Sequence, residues 1–384
     1  MSYSSQNRKI ASNLLLRGGK FVENPIIEID SDGEIISIES VSREDIDRTA
    51  GVEFYAGIMT AGFINAHCHT ELSYLRGAIE SGGGFATFAS RIGEVRGNFT
   101  QEERLRAMRS AEAEMLREGI VGVGDIVNGD SSFEVKAQSD IQFRNFAELF
   151  GLRTTDIASV EGLLHYPTTS LTPHSTYSLN DRLFRTIAES GDEPLSIHFM
   201  ESSAEAELFE GKGRLAEWYS KMGFECDFLH YGSPAQRIVA STPQDRSVML
   251  IHNCCVTQRD IDLIMGHFTA PVYWVICPRS NRYISNLTPP TELLRTNQLN
   301  ICVGTDSLAS NWSLSMIEEL RLLNNIPLVE RLDWATRKGA AALQFDDLGD
   351  IEIGKRPHIN ILSGVDYTTM ELTEKSRVRR IIAR

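Results

Sequence analysis

Paired cysteines are missing from this chain. Its six cysteines, Cys68, Cys226, Cys254, Cys255, Cys277 and Cys302, form no C-x-x-C motif, and several sit in apolar runs that read as buried strands. The opening stretch, Met1 to Lys9, lacks the apolar core of a signal peptide. Reduced thiols in a cytoplasmic protein are therefore expected. No uninterrupted apolar run approaches twenty residues, so no membrane-spanning helix is expected. Excess positive charge is also absent. The formal net charge is -14, which argues against nucleic acid as a partner, because backbone binding needs a basic surface. No glycine-rich dinucleotide fingerprint follows an early strand. Gly82-Gly83-Gly84 has no P-loop lysine and reads as the hinge of a lid or substrate loop. Short repeats and low-complexity tracts are lacking too. What remains is an ordinary globular composition, 384 residues with 42% hydrophobic and 23% charged, enough for a large core.

The two ends of the chain read alike. Asn13–Arg17, Ile26–Ile29 and Glu34–Ile38 are short apolar runs, the last two separated by the hairpin signal Asp32-Gly33. Near the other end, Asp350–Lys355 and Ile359–Leu362 have the same flavour. Between them, strand-like runs alternate with helical patterns. Eight strands are expected, at 58–66, 120–127, 141–149, 168–173, 194–199, 247–252, 271–277 and 300–305. A capping box, Thr100-Gln101-Glu102-Glu103, opens a helix whose apolar positions Leu105, Met108, Ala111, Met115 and Leu116 recur at helical spacing, and Gly119 stops it. The alternation suits an α/β fold, a (β/α)8 TIM-type barrel; a doubly wound sheet would give it as well.

The polar residues fall at the ends of those strands. His67 and His69 lie two apart, so both imidazoles leave one strand on the same side, while Cys68 points away. Asp125, His174, His198, His252 and Asp306 end or follow other strands, and in a barrel all such ends meet at one face. Three imidazoles (His67, His69, His198) and one carboxylate (Asp306) can hold Zn2+ and leave a position for water. A separate carboxylate must then move protons, and Glu201, three residues after His198, is placed for it. His252 can orient the water or steady a developing oxyanion. His174 is read as a substrate contact and Asp125 as structural. His165, His230, His267 and His358 lie off the pattern.

Ala61-Gly62-Phe63-Ile64-Asn65-Ala66-His67-Cys68-His69, His198-Phe199-Met200-Glu201, His252 and Gly304-Thr305-Asp306-Ser307-Leu308-Ala309-Ser310-Asn311 resemble the amidohydrolase superfamily. The similarity is to its branch of amino-heterocycle deaminases and chlorohydrolases, and it covers nearly the whole chain. No lysine stands at the fourth strand end to be carboxylated, as in the one-metal subgroup. The resemblance implies a composite β-sandwich from residues 1–57 plus 350–384 and a metal-dependent hydrolase barrel at 58–349. It implies hydrolytic deamination of a purine-like nucleoside or related heterocycle by a metal-bound hydroxide. His67, His69, His198 and Asp306 would be ligands of one divalent ion, Zn2+ in first place and Fe2+ as the other candidate. Glu201 would shuttle protons, His252 would position water, and Asp306 could accept the water proton. S-adenosylhomocysteine, methylthioadenosine and aminodeoxyfutalosine deaminases look like the nearest group. By similarity, His174 and the segment Cys277-Pro278-Arg279-Ser280-Asn281 would face substrate, Arg279 meeting a carboxylate or a ribose oxygen. Glu71 would touch substrate amines or be structural. The same metal site could hydrolyse another C–N or a C–Cl bond, or serve a non-catalytic binder. A small molecule is the expected partner, and a homodimer is the family expectation.

Overall fold

The computed structural model describes residues 7–381. Eight parallel strands run through its middle: Phe63–Cys68 (β1), Ile120–Val127 (β2), Gln142–Leu149 (β3), Thr169–Pro173 (β4), Leu195–Phe199 (β5), Val248–His252 (β6), Val272–Ile276 (β7) and Asn300–Val303 (β8). They form two four-stranded sheets, β1-β2-β3-β4 and β5-β6-β7-β8. Parallel neighbours need crossovers, and helices supply them, as Gln101–Arg117 does between β1 and β2. That helix carries the expected capping box at Thr100 and Glu103. With helices outside and side chains inside, the strands have no wet face. Every residue of β1, β2, β5, β6 and β7 is buried.

The two sheets touch along both edges through isolated bridges, Cys68 to Asp306 and Ser175 to His198. At the first seam, Asn65 on β1 makes a two-way fork with Thr305. Its amide donates to the Thr305 hydroxyl at 2.7 Å and its carbonyl accepts the Thr305 N–H at 2.9 Å. The N–H groups of Thr305 and Asp306 both reach the His67 carbonyl, at 3.2 and 3.0 Å. So close an approach leaves no space for a side chain at Gly304, where a Cβ would lie 2.8 Å from the His67 backbone N and O.

Both chain ends join one seven-stranded sheet. Its order is Glu371–Ile381, Ile359–Asp366, Val52–Ala61, Arg8–Arg17, Pro25–Ile29 and Ile35–Ser40, with Lys20–Glu23 also on Arg8–Arg17. The hairpin expected at Asp32-Gly33 joins Pro25–Ile29 to Ile35–Ser40. Residues Asp350–Lys355 are not a strand; the segment turns there and buries Ile351. The strand expected at 58–66 is two strands. Val52–Ala61 belongs to the terminal sheet, and Phe63–Cys68 opens the parallel set. Gly62 makes the switch: its N–H is turned onto the Pro357 and His358 carbonyls, and a Cβ there would sit 2.4 Å from the Val121 side chain. Residues 58–66 are buried throughout, so apolar periodicity has nothing to mark the boundary. No helix among the described residues is long and apolar enough to cross a membrane, and all six cysteines are free.

The seam yields a test. Gly304→Ala should force β8 away from His67 and cost about 1–3 kcal/mol, the usual range for overpacking. Urea unfolding measures it; an unchanged midpoint would show that the seam tolerates the methyl.

Candidate active site

Left-handed backbone marks the mouth of the parallel strands. Met200 (φ 50°), His252 (φ 81°), Asn253 (φ 58°) and Asp306 (φ 57°) all lie at or just beyond strand ends. Such conformations cost about 1–3 kcal/mol each and persist only where surrounding contacts fix them. At His252 the Asn253 side chain does this, donating to the Leu250 and Val275 carbonyls at 2.7 and 3.0 Å.

His67, His69 and His198 converge, with ligand-type nitrogens all within 4.8 Å of one another. The His174 carbonyl accepts twice from His198, from its backbone N–H at 2.8 Å and from ring Nδ1 at 2.9 Å. That leaves His198 Nε2 bare, 3.3 Å from His69 Nε2. Two nitrogens bound tetrahedrally to zinc at about 2.0–2.1 Å would be about 3.3–3.4 Å apart. Both ring nitrogens of buried His67 lack a hydrogen-bond partner. Asp306 Oδ1 lies 3.7 Å from His67 Nε2 and 3.5 Å from His69 Nε2. Its other oxygen accepts from Ser280 at 2.5 Å and Ser310 at 2.8 Å. The donor set is thus three imidazoles and a carboxylate, with orphaned nitrogen atoms aimed inward, and it fits a divalent ion.

Protonation states agree with that use. Burial first, then the neighbouring His67 imidazole, lowers His69 to about 4. His198 is held well below its ordinary value, again chiefly by burial. Burial works against ionisation of Asp306, but the imidazoles of His67, His69 and His252 outweigh it and hold the carboxyl well below the usual range. Glu201 is pushed the other way, well above the carboxylate range, by burial and then by Asp306 and Glu205. Its Oε1 lies 3.8 Å from His252 Nε2. Behind it, buried Glu205 accepts the Met200 N–H at 2.5 Å and the Thr176 hydroxyl, which fixes the turn that presents Glu201.

His174 stands beside this group, its ring stacked 4.5 Å from that of His198. Burial lowers it to about 3. Glu148 shares a second metal-like grouping with His174 and His198. Because His198 Nδ1 already gives its proton to the His174 carbonyl, it has no lone pair for a second ion. Arg279 pairs with Glu318 at 2.9 Å and lies over the Trp312 ring. Glu71 accepts from the Asn128 N–H at 3.0 Å and from Ser132 at 3.2 Å. Asp125 is bound to Lys136 at 2.6 Å and to the Thr70 N–H at 2.8 Å. Cys68 packs into the core. The glycine loop is latched: the N–H groups of Gly82 and Gly84 donate to the Tyr283 and Ile284 carbonyls at 2.7 and 2.8 Å. Sequence reasoning missed Glu148, Glu205 and Glu319, and placed Ser280 and Asn281 only in the segment expected to face substrate, not on Asp306 and His252. A lone acid in an apolar strand was the only signal for Glu148. Glu319 receives both the Arg279 N–H, at 2.8 Å, and the Asn311 amide, at 2.7 Å, and so ties the turns after β7 and β8 together.

The Amidohydrolase family model matches residues 58–382 of the chain. An adenosine deaminase of Helicobacter pylori is 27% identical over 345 residues, covering 83% of this chain and 82% of that one. A 5-methylthioadenosine/S-adenosylhomocysteine deaminase of Halalkalibacterium halodurans is 25% identical over 388 residues, covering 88% and 83%. Among solved structures, Helicobacter pylori aminofutalosine deaminase in complex with methylthio-coformycin superimposes with a TM-score of 0.82 at 23% identity, over 98% of both chains. That likeness concerns the fold, which is α/β of the TIM-barrel type.

Glu205 gives this site a measurable pH signature. Burial raises its carboxyl from 4.5 to about 8, outweighing its hydrogen bonds to Thr176 and Met200. A raised folded-state value favours folding at low pH, and that contribution is lost as pH rises through about 8. Glu205→Gln keeps the acceptor for Met200 and cannot ionise. Its stability relative to the parent should therefore climb between about pH 5 and pH 9 in urea unfolding. A flat difference would contradict the assignment.

Proposed function

The chain belongs to the amidohydrolase family, and from that premise we propose that it is a hydrolytic deaminase of a purine-like nucleoside or related amino-heterocycle. His67, His69, His198 and Asp306 hold one divalent ion, zinc in first place and iron(II) as the alternative. The observation that carries this reading is the buried His67 ring, both of whose nitrogens lack a partner, beside two Nε2 atoms only 3.3 Å apart. A cation there satisfies groups that are otherwise costly to bury. When bound, such an ion activates water at neutral pH.

The remaining work belongs to the chain. Asp306 keeps Oδ1 toward the imidazoles because Ser280 and Ser310 occupy Oδ2. Glu201, buried and with a raised pKa, arrives protonated and delivers that proton to a ring nitrogen of the substrate. It then takes up the proton of the attacking water and passes it to the exocyclic amine, which leaves the tetrahedral carbon as ammonia. His252 faces the same space and steadies the oxygen on that carbon. His174, stacked on His198, contacts the heterocycle. Arg279 reaches a substrate carboxylate only by exchanging Glu318 for it. Glu71 touches substrate only by releasing Ser132 or Asn128. The deaminase relatives support this reaction over hydrolysis of other C–N or C–Cl bonds. Glu201 argues against a non-catalytic binder, which needs no proton carrier.

The same reading extends to the whole chain. The barrel unit is taken as residues 58–349, its strands beginning at Phe63, and the isolated bridges at both seams support a closed (β/α)8 arrangement. Residues 1–57 plus 350–384 are taken as the terminal β unit; its described strands, with 58–61, pair in one seven-stranded sheet, and 1–6 and 382–384 lie outside the described residues. The protein works in the cytoplasm on a small molecule, as a homodimer.

Ammonia release from adenosine, 5'-methylthioadenosine, S-adenosylhomocysteine and aminodeoxyfutalosine tests the proposal; release from at least one is expected. No release from the metal-loaded protein, across these and a pterin and triazine panel, would overturn it. Glu201→Gln should keep its metal and lose turnover by about 10²–10⁴-fold, the worth of a positioned acid–base group. Near-normal turnover would remove Glu201 from its role.

A further inference from the structure

His252 has one hydrogen-bond partner on its Nδ1 side, and that partner is a side chain outside the machinery described so far. Asn281 lies on the helix Pro278–Ser285, four residues beyond Cys277, whose carbonyl accepts its N–H at 3.0 Å. Its side-chain amide is 2.9 Å from His252 Nδ1, and both residues are 1% exposed, so no bulk water competes. The helix itself is fixed at both ends. Its first turn is held by the Arg279 N–H on Glu319 and by Ser280 on Asp306. Its last turn carries the latched glycine loop through Tyr283 and Ile284.

We propose that Asn281 is a positioning residue: its amide N–H donates to His252 Nδ1 and so holds the imidazole in the neutral tautomer that carries its proton on Nε2. An amide NH2 can only donate, and a neutral imidazole has one donor and one acceptor nitrogen. With Nδ1 accepting, Nε2 carries the proton, and Nε2 is the atom that faces Glu201 at 3.8 Å. His252 is thereby a hydrogen-bond donor to the reaction space and has no lone pair there with which to act as a base. Proton uptake from water falls to Glu201 and Asp306. One helical turn, Ser280-Asn281, would then set both partners of the reaction oxygen: the hydroxyl orients Asp306 and the amide orients His252. The consequence for catalysis rests on the deaminase reading above; the tautomer does not.

The test is a long-range 1H–15N spectrum of the full-length, histidine-labelled protein, recorded with and without added zinc, with His252 assigned by comparison with His252→Gln. The expected pattern is protonation at Nε2 in both states. Asn281→Asp substitutes an acceptor for the donor and should move the proton to Nδ1. It should also lower kcat by about 10²–10³-fold, the usual loss for one donor to a developing oxyanion, with KM changed less than about twofold and zinc content unchanged. Asn281→Leu, which neither donates nor accepts, should give a mixture of tautomers and a smaller fall in kcat. A proton on Nδ1 in the parent protein overturns the inference, whether or not any variant folds. So does an Asn281→Asp protein that keeps the Nε2 pattern. An Nε2 proton in a protein that releases no ammonia supports this inference and counts against the deaminase reading alone.

Discussion

Three consecutive residues after β8, Gly304, Thr305 and Asp306, fold against the backbone of His67, and the proposed chemistry depends on that contact. Two main-chain N–H groups converge on the His67 carbonyl, and the Asn65–Thr305 fork locks the register. Asp306 therefore arrives beside His67 and His69 although it lies 237 positions after His69 in the chain. The opposite seam works in the same way. There the His174 carbonyl receives both the backbone and the ring of His198, so one acceptor sets the position of β5 and the tautomer of the His198 ring. Strand pairing and site assembly are one event at both edges.

Charge is distributed to match. Burial lowers His69 to about 4 and His252 to about 3, so these rings are neutral. Burial raises Glu148, Glu205 and Glu319 to about 8, whereas the Asp306 carboxyl is held well below the usual range. The unpartnered nitrogens of His67 and the Nε2 atoms of His69 and His198, 3.3 Å apart, leave buried polar atoms that no group of the protein satisfies. A divalent ion matches that arrangement; an empty, purely structural histidine cluster would normally pair its nitrogens with donors and acceptors of the protein.

Much of this was legible before any coordinates. His67, His69, His198, Glu201, His252 and Asp306 could be found because strand ends carry them, and strand ends show as the close of apolar runs. The reading failed where burial is uniform or where partners are remote. Nothing in Ile58–Ala66 distinguishes a terminal-sheet strand from a parallel one, because the switch at Gly62 is made by Val121, which is remote in sequence. Arg279 looked available for a substrate carboxylate, while its partner Glu318 lies 39 residues on. Asn281, Glu205 and Glu319 act by gripping other residues, a role without a sequence pattern of its own.

Elemental analysis of the protein purified without chelator tests the central claim most directly, when set beside the same measurement on His67→Ala. The account predicts close to one divalent ion per chain in the parent and a large loss in the variant. A parent chain that folds yet stays free of metal in the presence of excess zinc and iron(II), or a variant that retains the full complement, would contradict it.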